Sequence, residues 1–480
     1  MRKSFLWLTC GLLPYLSFAQ NLQEALLYNQ TDLLGSPRYV SMAGAFTSLG
    51  NDLSGVSDNP AGLSVFRQDV AEISFGFRTR TSTANYFNVS SREALTDAVL
   101  GVAGLVKEIP NPENTDYRFH FGFTIRQVAR FDKEWTVKGQ NPNYSIIDQW
   151  IANSNGIDPD NLLSNGLLFE RMAWEGFLTD VADSLNNYTS FATGLNTNHL
   201  DQIISSGNKS QMEIAASGSY QHKFFYGASI GIPFLNYSET STYGETGFDE
   251  FSDVEDFSLG NTYNLSATGI NLKIGFIYRP AYWLRLGGSY TSPTWYAAEA
   301  QFETILNTQF RDGSTAGPIL YFNDNLTYTL RTAQRFSLGT AFVLGKTALL
   351  SIDYHGSDLS HNAIKSSLFS LDELDREMDA ILAWTNDIRI GGEYRYRNAS
   401  IRGGYRLQSS PYREALNDRQ TDTKTWSIGL GYQFKYFVVD IAWRASSFSE
   451  QYQPYDIQYT PPAEIRNSDR MFVAGIQLVL

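Results

Sequence analysis

From Asp69 to Leu480 apolar residues recur at every second position, in runs broken by turn residues, and no other feature constrains the fold as much. In Met471–Leu480, Phe472, Ala474, Ile476, Leu478 and Leu480 share one face and Gly475 and Gln477 the other. Ile428, Leu430, Tyr432 and Phe434 alternate with Gly429, Gly431 and Gln433; Ile388, Ile390, Tyr394 and Tyr396 with Arg389, Glu393, Arg395 and Arg397. Ile270, Leu272, Ile274, Phe276 and Tyr278 alternate in the same way with Asn271, Lys273, Gly275 and Arg279. A wall with hydrocarbon outside and a polar interior requires this pattern.

The breaks fall into two classes that take turns along the chain. Short reversals lie near Asn111–Asp116, His222-Lys223, Pro280–Trp283, Lys346-Thr347, Arg397–Ala399 and Lys435-Tyr436. Long polar connections lie near Thr83–Glu93, Lys133–Asn208, Thr246–Gly260, Asn307–Gly317, Ser357–Ala383, Glu414–Thr421 and Gln453–Asn467. Short turns on one side and long loops on the other are the outer-membrane arrangement, and counting between breaks gives about fourteen strands, an even number as bacterial barrels have. The expected fold is therefore all-β, a transmembrane antiparallel barrel. Composition agrees: 28 Tyr and 31 Phe make an aromatic-rich chain, yet mean hydropathy is −0.27 because the apolar half of each strand is diluted by its polar half.

Residues 1–19 read as a secretory signal, with Arg2 and Lys3 ahead of an apolar stretch and Ser17-Phe18-Ala19 as the cleavage site. The single cysteine, Cys10, lies inside it, so the mature chain has no disulfide or thiolate chemistry. A net charge of −13 argues against nucleic acid as a partner. Residues 20–68 form the second unit and 69–480 the barrel, with a helical insertion over 133–208, where Ile146, Ile147, Trp150, Leu167, Leu168, Met172, Trp174 and Phe177 recur at helical spacing. Asp158 or Asp160 is its expected cap. Leu371–Trp384 is a shorter helix candidate. Such apolar faces either pack on the loops or form a landing site for an apolar ligand.

Ahead of the barrel, Gly35–Leu63 is dense in Gly, Ala and Ser and closes on Asn59-Pro60-Ala61-Gly62, a turn fixed by Pro60. A compact small-residue segment before a barrel is expected to sit inside it as a plug. Arg38, Met42, Gly44-Ala45-Phe46-Thr47, Asp52 and Asn59-Pro60-Ala61-Gly62-Leu63 resemble the plug of the FadL-type outer-membrane transport family. The chain departs from that pattern at Ala43, where a second glycine is usual, and at Asp58, where an aromatic often precedes the asparagine.

The resemblance implies passive uptake of a hydrophobic small molecule, a long-chain fatty acid or an aromatic hydrocarbon, with plug movement and lateral release into the bilayer. It implies no enzyme activity and no cofactor, a monomer, and outer-membrane lipid and lipopolysaccharide as surroundings. Asn59, Pro60, Ala61 and Gly62 would be gating residues, and the third strand, Tyr117–Asp132, would border the exit, with Gly122 as the kink. Met42, Phe46, Leu49 and Leu63 are the candidate apolar ligand contacts. Among the inward charges, Arg389 and Arg402 are candidates to receive a ligand carboxylate, the other reading being interior ion pairs that brace the wall. The five histidines show no metal spacing. A surface receptor for haem or another ligand, using the helical loops or His355, and a general porin are the competing readings.

Overall fold

The computed structural model describes residues 25–110, 116–345, 347–365, 372–416 and 419–480. The expected signal, 1–19, and the turn over 111–115 lie outside them. The strands are β1 (Val70–Tyr86), β2 (Val89–Ile109), β3 (Tyr117–Arg130), β4 (Lys133–Asn141), β5 (Thr179–Val181), β6 (Tyr188–Ser190), β7 (Thr197–Tyr220), β8 (Phe224–Thr246), β9 (Val254–Ala281) and β10 (Leu284–Thr291). They continue as β11 (Trp295–Phe310), β12 (Thr315–Arg331), β13 (Arg335–Leu344), β14 (Ala348–Asp358), β15 (Ala363–Lys365), β16 (Trp384–Tyr396), β17 (Ala399–Gln408), β18 (Thr423–Gln433), β19 (Phe437–Tyr452) and β20 (Ala463–Val479).

Apart from the small β5–β6 hairpin, all belong to one antiparallel sheet. Four staves of the wall are bent into two segments each. β3 runs on into β4, both against β7; β10 runs on into β11, both against β9; β12 continues as β13 and β14 as β15. The result is a closed barrel of 14 strands, with β1 paired to β20 from Val70↔Val479 to Asn85↔Glu464. The alternation does what the sequence predicts. Ile270, Leu272, Ile274, Phe276 and Tyr278 of β9 are exposed on the outer wall, while Asn271, Lys273 and Ile277 are buried inside.

The expected long connection at Thr83–Glu93 is not a loop. β1 and β2 pair up to Tyr86↔Val89 and reverse through Phe87-Asn88, both at positive φ, 43° and 62°. That is the geometry of a tight primed turn whose twist matches the hairpin. The polar run misled because a stave continuing into water loses its apolar face while keeping its ladder.

The helical insertion is also shorter at its edges than expected, since β4 and β7 take 133–141 and 197–208 into the wall. Between them, the helix Ile146–Ser154 starts on a capping box made by Ser145 and Asp148, and the helix Leu168–Glu175 takes up the later part of the helical spacing, from Leu168 to Trp174. Asp158 caps only the 3-10 turn Pro159–Asn161. Ile146, Ile147, Trp150, Met172 and Leu178 pack on Tyr243, Val254, Phe257, Leu259 and Leu306 of the strands below. The apolar helical face thus lies on the barrel's own extensions. The helix Asp372–Ile381 likewise turns Leu374 and Met378 into the lumen.

Candidate functional site

Inside the ring lies the segment from Ala25 to Phe66. Ser36 caps the helix Pro37–Ser41 by accepting from the Tyr39 amide, and Pro37 stands at its first turn, where its missing N–H costs nothing. Asn59 caps the 3-10 turn Pro60–Val65 through the Ala61 amide (3.1 Å), and its Nδ2 donates to Thr47 O (2.7 Å) and to Phe276 O of β9 (3.0 Å). One side chain therefore fixes the turn, the segment's own loop and the wall. Asn51 N donates to Gly62 O, and the two chains cross there at Gly50 and Gly62.

Wall and plug meet backbone to backbone because the wall presents glycine. A Cβ on Gly391 would strike Met42, on Gly404 the Met42–Ala43 peptide, on Gly429 Ser41, on Gly287 Thr47, on Gly227 Pro60, and on Gly122 Leu63. Gly122 is thus a close-approach glycine and not a kink: its pairing to Val106 and Ala215 is unbroken. Met42, Phe46 and Leu49 pack together with Tyr39 and Ala341, and Leu63 packs with Leu53, Val56 and Phe66; all four candidates are at most 1% exposed. They form the plug's cores and line no open cavity. Ala43 adopts φ 53°, the left-handed region, which accounts for the glycine usual at that position.

The inward charges form ion pairs. Arg389 donates to Asp387 and to Asp58, Tyr39 and Gly44 O of the plug; Arg402 bonds Glu393 (2.7 Å) and Asp440 (2.6 Å), and Glu393 also takes Arg38 (2.9 Å). The buried Asp58 carboxylate accepts from Arg389 (3.1 Å) and from the Tyr39 hydroxyl (2.6 Å), so plug and wall satisfy it together. A carboxylate role for Arg389 and Arg402 therefore meets side chains already engaged. Bracing is their visible task. Lys273 pairs with Glu213, and Arg406 with Asp387, in the same fashion.

Two places break this closed arrangement. The first is in the wall. β2 bulges opposite Ser74, which takes the Val102 amide, and β2–β3 pairing ends at Val102↔Arg126. β3 slips register between Gln127 and Ala129 and bends at Phe131–Asp132. From there β4 swings inward, so that Trp135 and Val137 pack on Ala84 and Tyr86 of β1 and on Ala463 and Ile465 of β20. Among the described residues the upper half of β2 is left without a second ladder partner, and β4 only leans on it, with Ser91 Oγ donating to Thr136 O. Gln127 covers the Leu100 amide (3.0 Å), and the plug's lead closes the gap from within: Asp32 N donates to Val128 O (2.9 Å) and its carboxylate takes the Arg130 amide (3.0 Å). Arg78, fully buried, donates to Arg130 O (3.2 Å), Asp132 O (3.0 Å) and Asp97 (3.2 Å).

The second place is the upper lumen. Leu235, Tyr237, Leu265, Tyr296, Leu330, Ile364 and Leu382 line an apolar chamber, and the chain's own Ala25, Leu26, Leu27 and Tyr28 occupy it. Tyr28 packs on Tyr296 with the rings tilted by 60° (centroids 4.8 Å), and its hydroxyl meets that of Tyr328 (2.8 Å). Below it Arg406, itself paired with Asp387, donates to Thr31 O (3.3 Å), and three cations that form no ion pair among the described residues hold neutral oxygens of the lead. Lys209 Nζ donates to Tyr28 O (2.9 Å) and Gln30 O, Arg335 to Thr31 Oγ1 (3.2 Å), and Arg126 to Leu34 O (3.3 Å). A polar cavity of about 90 Å³ remains between lead and plug. Sequence reasoning passed over this site. Its one trace is the apolar cluster Ala25-Leu26-Leu27-Tyr28 a few residues after the expected cleavage site.

No protein-family model and no curated protein matches the chain. Solved structures do. Over 94% of this chain and 99% of the other it resembles a Pseudomonas aeruginosa FadL homologue, with a TM-score of 0.58 at 13% identity. The same shares are covered by the Pseudomonas putida toluene transporter TodX, at 0.53 and 13%, and by the Ralstonia pickettii toluene transporter TbuX, at 0.50 and 13%. At such identity the likeness is one of fold.

Proposed function

We propose that this chain is an outer-membrane channel for passive uptake of hydrophobic compounds, released sideways into the bilayer. The observation that carries the reading is the upper lumen: an apolar chamber above three cations, both occupied by a short apolar stretch of the chain itself. A long-chain carboxylate has the same chemistry as that stretch, with a tail for the chamber and oxygens for Lys209, Arg335 and Arg126. It would offer them a charge where the lead offers only neutral oxygens, turning ion–dipole bonds into ion pairs. The lead is the moving part in this reading, because the plug behind it is pressed against glycines around the wall.

The exit is the gap between upper β2 and the β3–β4 bend, opened when Asp32 leaves Val128 and Arg130. No energy source is needed, since hydrocarbon is preferred to water by ~0.8 kcal/mol per CH₂. The fold likeness to a FadL homologue and to toluene transporters supports a hydrophobic cargo. The lead-filled lumen favours this reading over a general porin. The barrel would act as a monomer amid outer-membrane lipid and lipopolysaccharide.

Uptake of radiolabelled oleate and toluene into cells lacking other such channels tests the proposal. Wild type should take up oleate, and Lys209→Ala with Arg335→Ala should raise the half-saturating oleate concentration by about tenfold or more while sparing toluene. Uptake of neither compound above that of empty cells sinks the proposal.

A further inference from the structure

Around the plug the interior arginines are matched: Arg38, Arg389, Arg402, Arg406 and Arg444 each face a carboxylate within 3.2 Å. At the short-turn end of the barrel the matching stops. A cavity of about 610 Å³ opens there, lined among others by Phe66, Arg67, His222, Phe225 and Arg279. Arg67, Arg279 and Arg285 stand within electrostatic reach of one another, and among the described residues none of the three forms an ion pair. Arg285 is satisfied in part by Leu49 O (2.9 Å). Arg279 lies over the Phe225 ring at 4.3 Å, and its Nε is buried with no hydrogen-bond partner. The other arginine on the cavity wall, Arg118, is already taken by Glu108 (2.9 Å).

Arg279 and Arg285 are half-buried like charges, one with an orphaned donor, and are costly to keep without an anion, while Arg67 stands exposed beside them. Planar guanidiniums suit phosphate or carboxylate oxygens, and the partly exposed Val65, Pro110 and Tyr117 on the same wall suit an apolar body beside the head. The volume exceeds what an inorganic anion needs. We propose that this vestibule binds an organic anion, its phosphate or carboxylate head between Arg67 and Arg279 and its apolar part against Val65, Pro110 and Tyr117. The site is separate from the upper lumen, with the whole plug between them, and it does not rest on the uptake reading.

Titration calorimetry of the full-length barrel in neutral detergent tests it, with hexyl phosphate, inorganic phosphate and hexyl glucoside as probes. Wild type should bind hexyl phosphate, with Arg67→Gln and Arg279→Gln each weakening it by about tenfold or more and Arg279→Lys retaining most of the affinity. Lys209→Ala should leave it unchanged, and a wild-type thermal transition in each variant shows that the barrel is intact. Absence of binding to wild type, or equal binding by the glutamine variants, overturns the site. Inorganic phosphate binding as tightly as hexyl phosphate, or hexyl glucoside binding at all, overturns the pairing of anionic head with apolar body. Weakening by Lys209→Ala would place the anion in the upper lumen instead.

Discussion

Replacing Arg78 by methionine removes the cation that ties the lead's Asp32 to the bend in the wall. Its guanidinium reaches Asp97 at 3.2 Å, Asp32 and Asp469 at 3.6 Å and Asp132 at 3.9 Å, besides the two carbonyls of the bend. Arg130 would still hold Asp97 and Asp132 (2.9 Å each), and Arg444 would still hold Asp469 (3.2 Å). Asp32 loses most. Burial favours its neutral form, and the Arg78 and Arg444 charges more than offset that, keeping its carboxyl below the usual aspartate value. A depressed carboxyl contributes stability above its unfolded pKa and loses it as pH falls through the folded one, so the Arg78–Asp32 contribution is full at neutral pH.

Removing one partner of a buried ion pair costs about 3–5 kcal/mol, and the two remaining arginines reduce that to roughly 3 kcal/mol here. Denaturant unfolding of the barrel in micelles at pH 7.5, followed by tryptophan fluorescence, reads the loss. A double-mutant cycle with Asp32→Asn should return a coupling above about 1 kcal/mol. A loss below about 1 kcal/mol, or additivity with Asp32→Asn, would refute the reasoning that Arg78 secures the lead across the gap.

Three further outcomes follow from the packing and the charges. Gly391→Val puts a branched side chain into the Met42 backbone and should lower unfolding stability by about 1–3 kcal/mol or block heat-resistant barrel formation, whereas Gly392→Val, whose nearest contact is 3.8 Å away, should not. Asn59→Ala forfeits three hydrogen bonds at the plug–wall junction and should cost about 2–3 kcal/mol by the same unfolding assay. Glu245, near the far end of β8 and roughly 50 Å above the periplasmic turn by strand rise and tilt, clears the apolar band. Burial raises its carboxyl to about 7 while it receives the Ile146 amide, so the packing of the insertion is strongest at low pH and weakens by about 3 kcal/mol as pH rises from 4.5 through 7. Hydrogen exchange over Ile146–Ser154, corrected for intrinsic rates, should show that slope in wild type and lose it in Glu245→Gln.

The barrel was legible because its signal is periodic and repeated: the outward set on β9 needs only a period of two to be found. The strand count between turn classes then matched the closed barrel of 14. The plug was legible through Asn59-Pro60, whose side chain and fixed φ dictate a local shape whatever surrounds them. What escaped depends on partners distant in sequence. Arg389 and Arg402 looked available on their strands, and only the plug's Asp58 and the wall's Glu393 show them engaged. Gly122 looked like a kink, yet the bend needed no glycine and came where register slips at Gln127. The lead's role was hidden for the same reason. Ala25–Tyr28 carries no unusual residue, and its meaning comes from a chamber built by strands some two hundred residues and more away in sequence.

The central claim is that a hydrophobic carboxylate and the lead compete for one place. Hydrogen exchange at the amides of residues 25–34, with and without saturating oleate, tests it most directly. The account predicts that oleate speeds exchange across 25–34 and leaves the plug amides of 40–62 protected. Unchanged exchange at 25–34 with oleate demonstrably bound, or deprotection of 40–62 instead, would contradict it.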